Sequence, residues 1–118
     1  MKQFNDQAIL QLSMSQEIRS LVEEQAELHQ VLSNPSRLLL LRLLEGQALS
    51  VSEIAEQINA SLQNTSQHLR LMKDKGVLEA RRDGQTIFYK IAESEIGETC
   101  KQMLTILDQE IQTHSQEA

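Results

Sequence analysis

At 118 residues the chain has the length of one domain, and 40% apolar content with only 3% aromatics calls for a leucine, isoleucine, valine and methionine core, a composition suited to helices. No run approaches the roughly 18 apolar residues of a membrane span, MKQFNDQAIL lacks the basic start and apolar core of a signal peptide, and the lone Cys100 leaves no internal disulfide; a cytoplasmic protein is expected. The net charge of -6 argues against nucleic acid only as a total, because residues 61–90 carry six basic and three acidic side chains while every other segment is acidic on balance.

Apolar positions Ile18, Leu21, Val22, Leu28 and Leu32 predict a first helix over about 15–32, with residues 1–12 ambiguous between extension and fraying. Asn34 is suited to cap a second helix and Pro35 to its first position, where a missing N–H costs nothing. SRLLLLRLLEG follows, leucine nearly all round and so expected to be central and buried, with Gly46 as its stop. Ser50-Val51-Ser52-Glu53 reads as a capping box, opening a short helix with Ile54, Ala55 and Ile58 inward and Asn59 at its left-handed end. Ser61 then caps the next helix, which Gly76 ends.

Two short helices joined so tightly form a helix-turn-helix over about 50–75. Beyond Gly76 the period becomes alternating. VLEARR, Asp83-Gly84 and QTIFYKI predict a hairpin, or wing, over about 77–91, with Ile87, Tyr89 and Ile91 on one face. A last helix over about 94–114 places Ile96, Cys100, Met103, Leu107 and Ile111 on one stripe. The fold class expected is mainly α with a small β-hairpin, a single winged helix-turn-helix domain over 1–118. The terminal helices carry more apolar surface than so small a core covers, so they are expected to bury one another across a homodimer.

On the helix after Ser61, the stripe Leu62, Thr65, Leu69 and Met72 is expected to pack inward, aiming Gln63, Asn64 and Gln67 outward with Ser66 on the flank. Short neutral side chains that both donate and accept hydrogen bonds are suited to base edges in the major groove. Arg70, Lys73 and Lys75 on this helix, and Arg81, Arg82 and Lys90 on the hairpin, suit phosphates; Gln85 and Thr86 lie at the wing tip.

The stretch from Asn34-Pro35 through Phe88-Tyr89 and Ile91 resembles the ArsR/SmtB family of bacterial winged-helix repressors over about residues 28–91. The resemblance rests on Pro35 to Arg37, on Ser66-Gln67-His68-Leu69 in the recognition helix, on Gly76, and on Arg81-Arg82-Asp83-Gly84 in the wing. It implies a homodimer that binds a double-stranded DNA operator and lets go when a metal, metalloid, thiol oxidant or other signal changes its geometry. Where many metal-sensing members have Leu-Cys-Val-Cys-Asp, this chain reads Leu49-Ser50-Val51-Ser52-Glu53. His114-Ser115-Gln116-Glu117 resembles half of a second family site, but its other half, near Lys101 and Met103, holds no ligand.

No metal site and no cofactor are therefore expected, and the three histidines, His29, His68 and His114, read as packed or solvated. Cys100 reads as a small packing residue on the interface stripe, with a thiol switch as the alternative. No glycine-rich phosphate loop or catalytic cluster points to an enzyme. The reading from another class is a winged helix used only to bind protein, which the uncharged recognition face disfavours. The inducer is not legible.

Overall fold

The computed structural model describes residues 15–117, so the expectation for residues 1–12 lies outside them. The chain divides into two compact units, Met1–Gln30 and Val31–Ala118. In the first, helix α1 (Gln16–Leu32, continuing past Gln30) leaves Ile18 and Leu21 exposed.

The second unit holds α2 (Pro35–Leu43), β1 (Leu49–Ser50), α3 (Val51–Ile58), α4 (Leu62–Asp74), β2 (Leu78–Asp83), β3 (Thr86–Ile91) and α5 (Glu95–Glu117). The boundaries follow local chemistry. The Asn34 side chain accepts from the Arg37 N–H at 3.2 Å, and Pro35 takes the first helical position. At α3 the capping box is complete, with Glu53 N–H donating to Ser50 Oγ at 3.2 Å and Ser50 N–H donating to Glu53 Oε1 at 3.0 Å. The Ser50 backbone N–H first, and its hydroxyl second, hold the Glu53 carboxyl below its usual range.

Asn59 ends α3 at φ 55, and the Ala60 N–H reaches back to the Ala55 carbonyl. Helix α4 ends in the same way, the Gly76 N–H donating to the Lys73 carbonyl and the Val77 N–H to that of Met72. Both are the paired bonds of a left-handed helix stop, which satisfy carbonyls the helix leaves open.

The strands form an antiparallel sheet in the order β1-β3-β2. The hairpin register pairs Asp83 with Thr86, so the turn residues are Gly84-Gln85 rather than the expected Asp83-Gly84. Gly84 takes φ +65 at the first turn position, a backbone that right-twisted strands require there and glycine supplies without strain. Strand β1 was not expected. Two residues give no alternation to read, and it exists only because Leu49 and Ser50 pair with Tyr89 and Phe88.

The core gathers Leu40, Leu41 and Leu44 of the α2 segment with Ile54, Leu69, Met72 and Val77. Two expectations are corrected here. Helix α2 is not buried all round, since Leu39 stays exposed. On α5 the stripe expected to face a partner is divided: Cys100 turns inward with Gly97 and Leu104, while Ile96 and Ile111 stay exposed, as does Ile106.

Gly97 sets that rotation. A Cβ there would collide with the backbone carbonyl of Ala92, so only glycine lets the helix settle against the end of β3. The ion pair between Arg42 and Asp108 then links α2 to α5. Cys100, at 1% exposure, thus belongs to the subunit's own core and not to an interface stripe, and burial pushes its thiol pKa up.

Candidate nucleic-acid interface

Helix α4 is held at both ends by its own sequence. Ser61 Oγ accepts from the Asn64 N–H at 3.1 Å, which fixes the first turn three residues after Asn59 has stopped α3. Thr65, Leu69 and Met72 are fully buried, and this anchors the helix on α3 and α2. Leu62 is a correction: expected inward, it is 57% exposed. It occupies the first helical position, one turn before Thr65, where the chain has only just left the turn and nothing stands over it.

With that stripe inward, Gln63, Asn64, Gln67, Arg70 and Lys73 are all exposed and Ser66 is half-buried on the flank. Ser61 is exposed as well, but its oxygen is engaged in the cap, which makes it a positioning residue for Asn64. The first acid on the helix is Asp74, at its far end. The outward surface of the first three turns therefore offers amides, hydroxyls and cations, and no fixed negative charge.

The wing brings Arg81, Arg82, Gln85 and Thr86 into exposed positions around its tip. Register divides the two arginines. Arg82 pairs with Ile87 and lies on the sheet face of Tyr89 and Ile91, which is buried against the helices, whereas Arg81 pairs with Phe88 on the opposite face. Lys90 does not join them. Its Nζ is held by Glu93 Oε1 at 2.8 Å and Glu79 Oε1 at 3.2 Å; these carboxylates, Glu93 first, raise its pKa, and the Lys90 ammonium in turn lowers that of Glu93. The sequence offered no warning of this, because Glu79 lies eleven residues from Lys90 and meets it only through the strand register.

The family's thiolate positions hold Ser50 and Ser52 here, and Ser50 Oγ is committed to capping α3, so this place does not fit a thiophilic metal. Among the described residues, no three of His, Cys, Asp and Glu converge as a metal ion's ligands would. Among them too, no helix is long and apolar enough to cross a membrane.

A helix-turn-helix followed by a two-stranded wing, with a polar and cationic outer face on the second helix, defines the winged helix-turn-helix class of DNA-binding protein. Comparison with known proteins agrees. A family model described as a helix-turn-helix domain matches residues 32–81. The chain is 35% identical over 82 residues to the HTH-type transcriptional regulator YgaV of Escherichia coli, covering 69% of this chain and 83% of that one. It is 36% identical over 84 residues to the biofilm growth-associated repressor of Xylella fastidiosa, covering 70% and 73%.

Among solved structures, a homodimeric winged helix-turn-helix DNA-binding domain from Mycobacterium bovis, described as a possible ArsR-family regulator, superposes with a TM-score of 0.73. Its sequence identity is 28%, over 81% of this chain and 89% of that one. The chain belongs to the ArsR/SmtB family of winged helix-turn-helix transcriptional regulators. Its function is DNA-binding transcriptional regulation, and the relatives are regulators rather than enzymes.

Proposed function

We propose that the protein is a repressor that binds an inverted-repeat operator as a homodimer, with one α4 in each of two major grooves. The observation that carries the reading is the outer face of α4, where Gln63, Asn64 and Gln67 stand exposed with Arg70 and Lys73 beside them. The amides are matched to base edges, adenine above all, and the cations to phosphates. Ser61 positions the first turn through its cap, Ser66 offers its hydroxyl to the DNA from the flank, and Arg81, Arg82, Gln85 and Thr86 hold the backbone from the wing.

Dimer formation rests on apolar surface that a single chain leaves uncovered, including Ile18 and Leu21 of α1 and Ile96, Ile106 and Ile111 of α5. A two-fold dimer would set its recognition helices about 34 Å apart, one turn of DNA, and a signal that changes this spacing would release the operator. The absence of a long apolar helix among the described residues is consistent with a cytoplasmic site of action.

Selection from random duplex DNA tests the reading. Enrichment of a palindrome with half-sites about ten base pairs apart is expected. Equal binding to a single half-site by a monomer would overturn it.

A further inference from the structure

The sheet face that carries Phe88 is hollowed. A groove of about 480 Å³ is lined by Ala48, Glu79, Ala80, Arg81, Phe88 and Lys90. A second, of about 300 Å³, shares Ala48 and Lys90 with it and runs on to Glu93 and Lys101 at α5. The register accounts for both the depth and the chemistry. Arg81 stands opposite Phe88, Glu79 stands opposite Lys90, and the pairing of Leu49 with Tyr89 puts the small Ala48 beside Lys90. An aromatic ring thus lies in a trough with the Ala48 methyl group on the same face.

The charges are unequal. Lys90 is held between Glu93 and Glu79 and forms a fixed, largely compensated wall, while Arg81 has no ion-pair partner among the described residues. Arg81, Lys90 and Lys101 against Glu79 and Glu93 leave the two grooves at +1, on a chain of -6. A guanidinium with open donors beside an aromatic floor is complementary to a planar acid: the fork takes a carboxylate through two parallel hydrogen bonds, and the ring takes an offset-stacked or edge contact. The larger volume falls within the range of small-molecule sites. A bare phosphate would leave the Phe88 side of the trough unused.

We propose that this groove is an effector site for a small aromatic carboxylate, whose binding withdraws Arg81 from the DNA backbone and so weakens operator binding. The second clause rests on the wing role assigned above to Arg81; the site itself does not.

The test uses the full chain and 2-naphthoate as probe. In amide NMR spectra recorded without DNA, saturable shifts are expected at Ala48, Arg81 and Phe88. Affinity should be at least tenfold weaker for 2-naphthylmethanol, which keeps the rings and loses the charge, and at least tenfold weaker for Arg81→Gln. Ala48→Leu fills the trough from a position outside the DNA surface; it should abolish naphthoate binding and keep operator affinity. Naphthoate should lower operator affinity in the parent protein and not in Ala48→Leu.

No saturable shift at millimolar naphthoate, or equal binding of acid and alcohol, overturns the site. Naphthoate binding with no effect on the operator, in a protein whose Arg81→Gln variant has lost affinity, overturns the release. If naphthoate binds but Arg81→Gln leaves operator affinity intact, the phosphate role of Arg81 falls and the ligand site is upheld.

Discussion

Helices α4 and α5 each turn a stripe into one core, Leu69 and Met72 from the first and Cys100 and Leu104 from the second, and they differ in what lies outside it. The outer face of α4 is amide, hydroxyl and cation, with no acid before Asp74. That of α5 is apolar and acidic, with Ile106 61% exposed and Glu95, Glu98 and Glu110 along the helix. Inner faces alone would make the two helices interchangeable packing elements. Under the proposed function, their outer faces assign one to a polyanion and the other to a second apolar surface.

The largest expected effect concerns how α5 is seated. Gly97→Ala drives a methyl group into the Ala92 carbonyl, and since backbone gives way less than a side-chain tip, a loss of about 3 kcal/mol in urea denaturation is expected. An unchanged midpoint would mean that α5 is not held by this contact.

Ile106→Glu attacks the outer face instead. Fold stability should hardly move, while the dimer dissociation constant should rise roughly thirtyfold, about 2 kcal/mol, by sedimentation equilibrium. A monomer–dimer balance that did not shift would remove the proposed role of that face.

On α4 the comparison can be sharpened within one surface. Gln67→Ala should cost about 1–3 kcal/mol and relax preference at particular base pairs. Lys73→Ala should weaken all duplexes alike and flatten the log–log salt slope by about 0.9 per lost phosphate contact. Uniform loss with Gln67→Ala would exchange the two roles.

Cys100 tests whether α5 senses as well as joins. Burial raises its thiol pKa, so little thiolate exists near neutral pH and alkylation by iodoacetamide should be slow until the protein unfolds. Cys100→Ser should lose about 1 kcal/mol of stability through a buried hydroxyl and still bind the operator. Peroxide or polysulfide that released DNA from the parent protein and not from this variant would make Cys100 the sensor.

The smallest effect is a gain. Thr65 Oγ1 is buried with no hydrogen-bond partner among the described residues, so Thr65→Val, nearly equal in shape, should stabilise the fold by up to about 1 kcal/mol, read as a raised melting temperature with unchanged DNA affinity.

What could be read from the sequence was local. Asn34, Ser50 with Glu53, Asn59, Ser61 and Gly76 act on hydrogen bonds within a few residues, so their roles follow from their neighbours. The buried Thr65, Leu69 and Met72 were legible because one helical period connects them. What required a distant partner was not legible. Strand β1 exists through β3, and Lys90 is occupied through Glu79 across a strand. Helix α5 carries apolar residues round so wide an arc that periodicity could not say which edge turns inward, and the approach of Gly97 to Ala92 decides it.

The two-residue strand β1 has a further consequence for the DNA. Leu49 and Ser50 are bonded to Tyr89 and Phe88 at the base of the wing, and Ser50 is also the cap of α3, so the hairpin and the helix pair share a covalent and hydrogen-bonded hinge of no length. A reader built this way arrives at its target already shaped, and little ordering entropy is left to lose on contact. The adaptation then falls to the duplex. Base steps between the half-sites, which no side chain touches, would be selected for how easily they twist and narrow to meet a fixed template.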